Sequence, residues 1–96
     1  MYAVIDSIQR SDLRPFGGCY KVHRMTASTV WLERPRKDEV EIVRFSKSRV
    51  LFFTAVDITR KIVKFNEVVK NSAIRHNKLA RRAVELARKS EIQPIL

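Results

Sequence analysis

Between positions 70 and 89 the sequence carries Lys70, Arg75, Lys78, Arg81, Arg82, Arg88 and Lys89, with Glu85 as the lone acid. Cationic groups repeated along one helix face contact phosphate oxygens and release the counterions a polyanion holds. The forked donors of Arg75, Arg81 and Arg82 also suit a guanine edge. A solvated helix face that only maintains solubility tends to mix signs, and this one does not. A second group, Arg34, Arg36 and Lys37, falls at a predicted hairpin tip, where Asp38, Glu39 and Glu41 partly neutralise it. Together these cations are the predicted nucleic-acid-binding residues, for DNA or RNA alike.

Other chemistry is poorly represented. His23 and His76 lie far apart in sequence, and no carboxylate pair stands out as a general acid and base. Cys19 and His23 are two ligand types, too few for a zinc site. Gly17-Gly18 is not followed by the Gly-Lys-Ser/Thr of a phosphate loop. The expectation is therefore a protein that is not an enzyme and needs no metal or cofactor. Phe16, Tyr20 and Trp31 are candidates for stacking on bases. Phe45, Phe52, Phe53 and Phe65, among apolar neighbours, are predicted core.

The whole chain agrees with the local charge. It has 96 residues, a net charge of +10 and 45% hydrophobic residues, which suits one folded domain meeting a polyanion. Residues 1–56 hold ten basic and six acidic residues, and residues 57–96 ten and four, so the halves carry +4 and +6. No apolar run reaches the roughly 18 residues that span a bilayer, and the first residues do not read as a secretory signal. A membrane partner is not expected. A single cysteine excludes an internal disulfide framework. That predicts a reducing, intracellular setting, cytoplasmic or nucleoid/nuclear.

Residues 1–56 read as a strand-rich half. Strands are predicted at Tyr2–Ile8, Cys19–Met25, Thr29–Glu33, Glu39–Phe45 and Arg49–Thr54, all rich in β-branched and aromatic residues. Pro15-Phe16-Gly17-Gly18 is predicted to close a long first loop, and Pro35-Arg36-Lys37-Asp38 to form a hairpin tip. A long first loop, a tight three-strand meander and a closing strand resemble the architecture of an SH3-like small barrel. The fold class expected is α+β: a small five-stranded antiparallel barrel or bent sheet, followed by a C-terminal amphipathic helix.

The helical half, 57–90, contains neither Gly nor Pro, and 91–96 reads as a tail. Asp57 is the predicted N-cap. Ile58, Ile62, Phe65 and Val69 form an apolar stripe, predicted to cover the barrel through Leu51 and Phe53. Leu79, Ala83 and Leu86 continue it after Ser72 and His76. Two readings stay open: one long helix, or a break near Asn71-Ser72 with Ser72 capping a second helix and Ile74 accounted for. The apolar side of the second segment, His76, Leu79, Ala83 and Leu86, is also a candidate seam. It would serve a homodimer or an acidic protein partner, the alternative to nucleic acid.

Overall fold

A computed structural model describes residues 1–7, 14–72, 79–89 and 91–95. The strand-forming runs become β1 (Tyr2–Asp6), β2 (Phe16–Met25), β3 (Thr29–Arg36), β4 (Glu39–Ser46) and β5 (Val50–Thr54). A one-turn 3-10 helix at Lys47–Arg49 joins β4 to β5. Two helices follow, α1 (Thr59–Ser72) and α2 (Leu79–Lys89), and then β6 (Pro94–Ile95). The fold is α+β, with one six-stranded antiparallel sheet in the order β4-β3-β2-β1-β5-β6. The sheet is not closed: β4 and β6 are its edges.

The two sheet faces bury different residues, as alternation requires. Val4, Phe16, Cys19 and Phe52 face the helices and pack with Ile58, Ile62, Val69, Ala83, Leu86, Ala87 and Ile92. Ala3, Ile5, Val30 and Leu32 form a second cluster on the other face, joined by Tyr20, Val22, Phe45, Val50 and Phe53. That cluster draws on every strand from β1 to β5, and among the described residues its members are all strand residues, so the sheet bends around its own side chains. Register shifts at Ile5/Asp6, Val4/Ile5 and Val22/Arg24 supply the bends. The Arg49 guanidinium pins the junction. Its Nε donates to Asp6 Oδ1 at 2.9 Å, and its head lies 5.1 Å from the Phe45 ring.

Several predicted features change. Phe16 is not in a loop but opens β2, is 1% exposed and belongs to the core. The α1 stripe lies mainly on β2, where Phe65 meets Phe16 and the Thr59 hydroxyl reaches the Cys19 carbonyl, while α2 lies along β5 and Phe53 faces the other way. The predicted tail is also structured. Ile92 is buried, and Pro94 and Ile95 pair with Thr54 and Phe53. The helical half comprises two helices packed into one cluster. A straight helix over 59–89 would run about 46 Å, more than the longest dimension of 35 Å. Ile74 and the capping role of Ser72 lie outside the described residues.

The helix ends explain how the chain turns back onto the sheet. Asp57 Oδ1 accepts the Thr59 N–H at 3.0 Å and the Thr59 hydroxyl at 2.5 Å, capping α1 as predicted. These bonds favour the carboxylate and hold Asp57 below its ordinary pKa. At the end of α2, Ile92 N–H donates to Ala87 C=O at 3.0 Å and Glu91 N–H to Arg88 C=O at 3.2 Å. This is a Schellman motif, and its left-handed residue is Glu91 at φ 61°. A side chain costs energy there that glycine avoids. Glu91→Gly is expected to stabilise the chain by about 1 kcal/mol, read as a rise in the urea midpoint at unchanged slope.

Candidate nucleic-acid interface

Each helix gives its apolar side to the sheet, and its described cationic side chains are exposed. On α1, Arg60, Lys61 and Lys64 are exposed beside Val63, Glu67 and Val68. On α2, Arg81, Arg88 and Lys89 are exposed with Glu85, while Ala83, Leu86 and Ala87 are buried. Arg81 and Arg88 are seven residues apart, two helical turns, and so share one face. Arg75, Lys78 and His76 lie outside the described residues, as do the side chains of Lys70, Arg82 and Leu79. Arg60, Lys61 and Lys64 join this surface although they fall outside the 70–89 run. The signal for them was their placement between Ile58, Ile62 and Phe65.

The predicted seam is altered by the same packing. Ala83 is 0% and Leu86 7% exposed, both inside the core that α1, α2 and the sheet share. They are used within the chain and offer no surface to a partner. Their apolar spacing reports a helix lying on a sheet.

The second predicted cluster is rearranged. Arg34 and Arg36 are strand residues of β3, and only Lys37 and Asp38 form the turn. Glu41, across from Arg34 in register, accepts from Arg34 Nη2 at 2.7 Å and from Nε at 3.2 Å. Arg36 Nε lies 2.7 Å from the same carboxylate oxygen. The Arg34 bond, then the charges of Arg34 and Arg36, hold Glu41 below the usual carboxylate pKa. A phosphate would have to compete with Glu41 for both guanidiniums. Lys37 remains exposed at the tip.

A third basic surface joins Trp31 to two arginines that the local sequence does not bring together. Beyond Cys19 the helix-side face of the sheet emerges from under α1. Arg24, Trp31 and Arg44 form one row there, because Trp31 is the register partner of both arginines. The Arg24 guanidinium carbon sits 4.1 Å from the Trp31 ring centroid. In the next row Lys21 pairs with Glu33 and Glu33 with Ile42, and His23 Nδ1 lies 3.9 Å from Glu33. Of the three aromatic stacking candidates, Phe16 is core, Tyr20 packs on the opposite face, and Trp31 alone lies on this open surface.

Other polar sites lie apart from these basic surfaces. A cleft of about 230 Å³ on the bent face is lined by Asp6, Arg14, Tyr20 and Arg34 among others. Cys19 is buried, and loss of solvent pushes its thiol up to about 11, which keeps it protonated and unreactive. Among the described residues, no group of three or more His, Cys, Asp or Glu could hold a metal ion. No helix among them is long and apolar enough to cross a membrane. No family model matches the chain, and no curated protein or solved structure matches it.

Proposed function

We propose that this chain is a small nucleic-acid-binding protein whose helix layer contacts the phosphate backbone. The observation that carries the reading is the outward surface of α1 and α2. Arg60, Lys61, Lys64, Arg81, Arg88 and Lys89 are exposed there, against Glu67 and Glu85. The net charge of +10 supplies the long-range attraction. We read the strand order β4-β3-β2-β1-β5, with its long first connection and the 3-10 turn before β5, as an SH3-like small barrel left open. That scaffold packs against the helices; it does not by itself name a ligand. Contacts of this kind are salt-dependent and mostly indifferent to sequence.

The test is fluorescence anisotropy with labelled duplex DNA, single-stranded DNA and RNA across a salt titration. The expected result is binding that falls steeply with salt. Joint reversal of Arg81→Glu and Arg88→Glu is expected to weaken binding at least about tenfold. It should also flatten the plot of log K against log salt by about 2, the loss of two phosphate contacts. Both residues are exposed, so the fold should tolerate the change. Unchanged affinity and slope would remove the helix layer from the site. Weak binding, equal for all three ligands at low salt, would favour docking on an acidic protein instead.

A further inference from the structure

We infer that the open sheet surface around Trp31 is a stacking platform for single-stranded nucleic acid, separate from the phosphate-binding helix layer. The inference rests on the reading that the ligand is a nucleic acid, and it specifies the strand state and a second surface. Trp31 lies between Arg24 and Arg44 in one row across β2, β3 and β4. With strands about 4.8 Å apart, two cations flank the indole at the distance of one strand each. Arg24 and Arg44 are exposed, and Trp31 is half-buried.

Arg24 does not merely neighbour the ring. Its guanidinium carbon sits over the indole, 4.1 Å from the ring centroid. A planar cation on an indole extends the stack outward and presents a second flat face. Nucleobases stack on both guanidinium and aromatic planes, whatever their sequence. Two residues along, about 6.7 Å, the surface continues with exposed Ile42, and beyond it exposed Val40. Apolar side chains there can receive the faces of neighbouring bases, while Lys21 and Arg44 reach the backbone phosphates. Glu33, an acid on this surface, stands opposite Lys21 in register, with His23 Nδ1 3.9 Å from its carboxylate. Duplex DNA keeps its base faces stacked inside and offers no such contact.

Trp31 is the chain's single tryptophan, so its emission reports this surface without any mutation. The intact protein is titrated with a thymidine oligonucleotide, a duplex of equal length, and inorganic polyphosphate, each followed also by anisotropy or competition. The expected result is saturable quenching by the single strand and little by duplex or polyphosphate. Replacing Arg24→Ala and Arg44→Ala together should lower single-strand affinity about tenfold and duplex affinity far less. Equal quenching by polyphosphate would overturn the platform, since no base is involved. Single-strand binding by anisotropy with Trp31 emission unchanged would overturn it and leave the helix-layer reading standing. No binding by either method would remove both.

Discussion

Phe16→Ala is expected to destabilise the chain by about 3–5 kcal/mol. The side chain is 1% exposed and is among the largest fully buried ones. Its ring meets Phe52 edge-on, with centroids 6.4 Å apart at 87°, and Phe65 at 6.0 Å and 53°. It therefore joins β2 and β5 to α1. The backbone at the same position is clamped as well. Phe16 N–H donates to Asn66 Oδ1 at 3.3 Å, and Asn66 Nδ2 donates to Phe16 C=O at 2.9 Å. The clamp limits how far α1 can settle into the space left by the ring, so the cost should stay near the top of the range. Urea unfolding checks it, as a lower midpoint at similar slope. A loss below about 1 kcal/mol, the behaviour of surface positions, would return Phe16 to the exposed stacking role its neighbours suggest.

Gly17→Ala is expected to cost about 3 kcal/mol or more, at or beyond the upper end for overpacking. A Cβ at this position would lie 2.2 Å from the Asp6 carbonyl oxygen and 2.9 Å from its carbon. Both are backbone atoms of β1, which is paired on both sides, with β2 and with β5. Asp6 pairs with Phe16 and Ile5 with Gly18, so Gly17 is the extra residue of the bulge that turns β2 here. Glycine marks such close backbone approaches. A domain of this size loses roughly 4–8 °C of melting temperature per kcal/mol, so thermal unfolding should show a drop of more than about 12 °C. A drop of only a few degrees would mean that β1 and β2 separate more easily than their register implies.

These two residues also mark where the sequence misleads. Pro15-Phe16-Gly17-Gly18 carries every local sign of a turn. What makes it a strand is its pairing with β1, Phe16 opposite Asp6 and Gly18 opposite Ile5, which leaves no local trace. The five strands are legible because their alternation and their breakers agree: β2 to β4 deviate from expectation only at their ends. Asp57 is legible as a cap because capping is a two-residue interaction. The split of Leu51 and Phe52 from Phe53 is not, since the shift at Val4/Ile5 resets the alternation. Nor is the role of Ala83 and Leu86, since an apolar helix edge looks the same whether it meets its own sheet or a partner. Trp31 shows the same limit. Its alternation with Val30 and Leu32 places it away from the bent-face core, but the row it makes with Arg24 and Arg44 depends on the bulge between Val22 and Arg24.

The position of β1 has a consequence for how the molecule assembles. The β2–β4 meander joins neighbours in the chain and can zip up locally. β1 comes first in the chain yet stands between β2 and β5, with Val4 opposite both Cys19 and Phe52. One of its edges stays open until the meander has been made and β5 returns beside it. Its helix-side face stays open until Ile58, Ile62 and Ala83 arrive. Such distant pairing must meet the entropy of closing a long loop before any contact rewards it. Until β5 pairs with it, Ala3-Val4-Ile5 is a strand edge of the kind that recruits other chains, so aggregation during refolding is expected to fall once β5 docks.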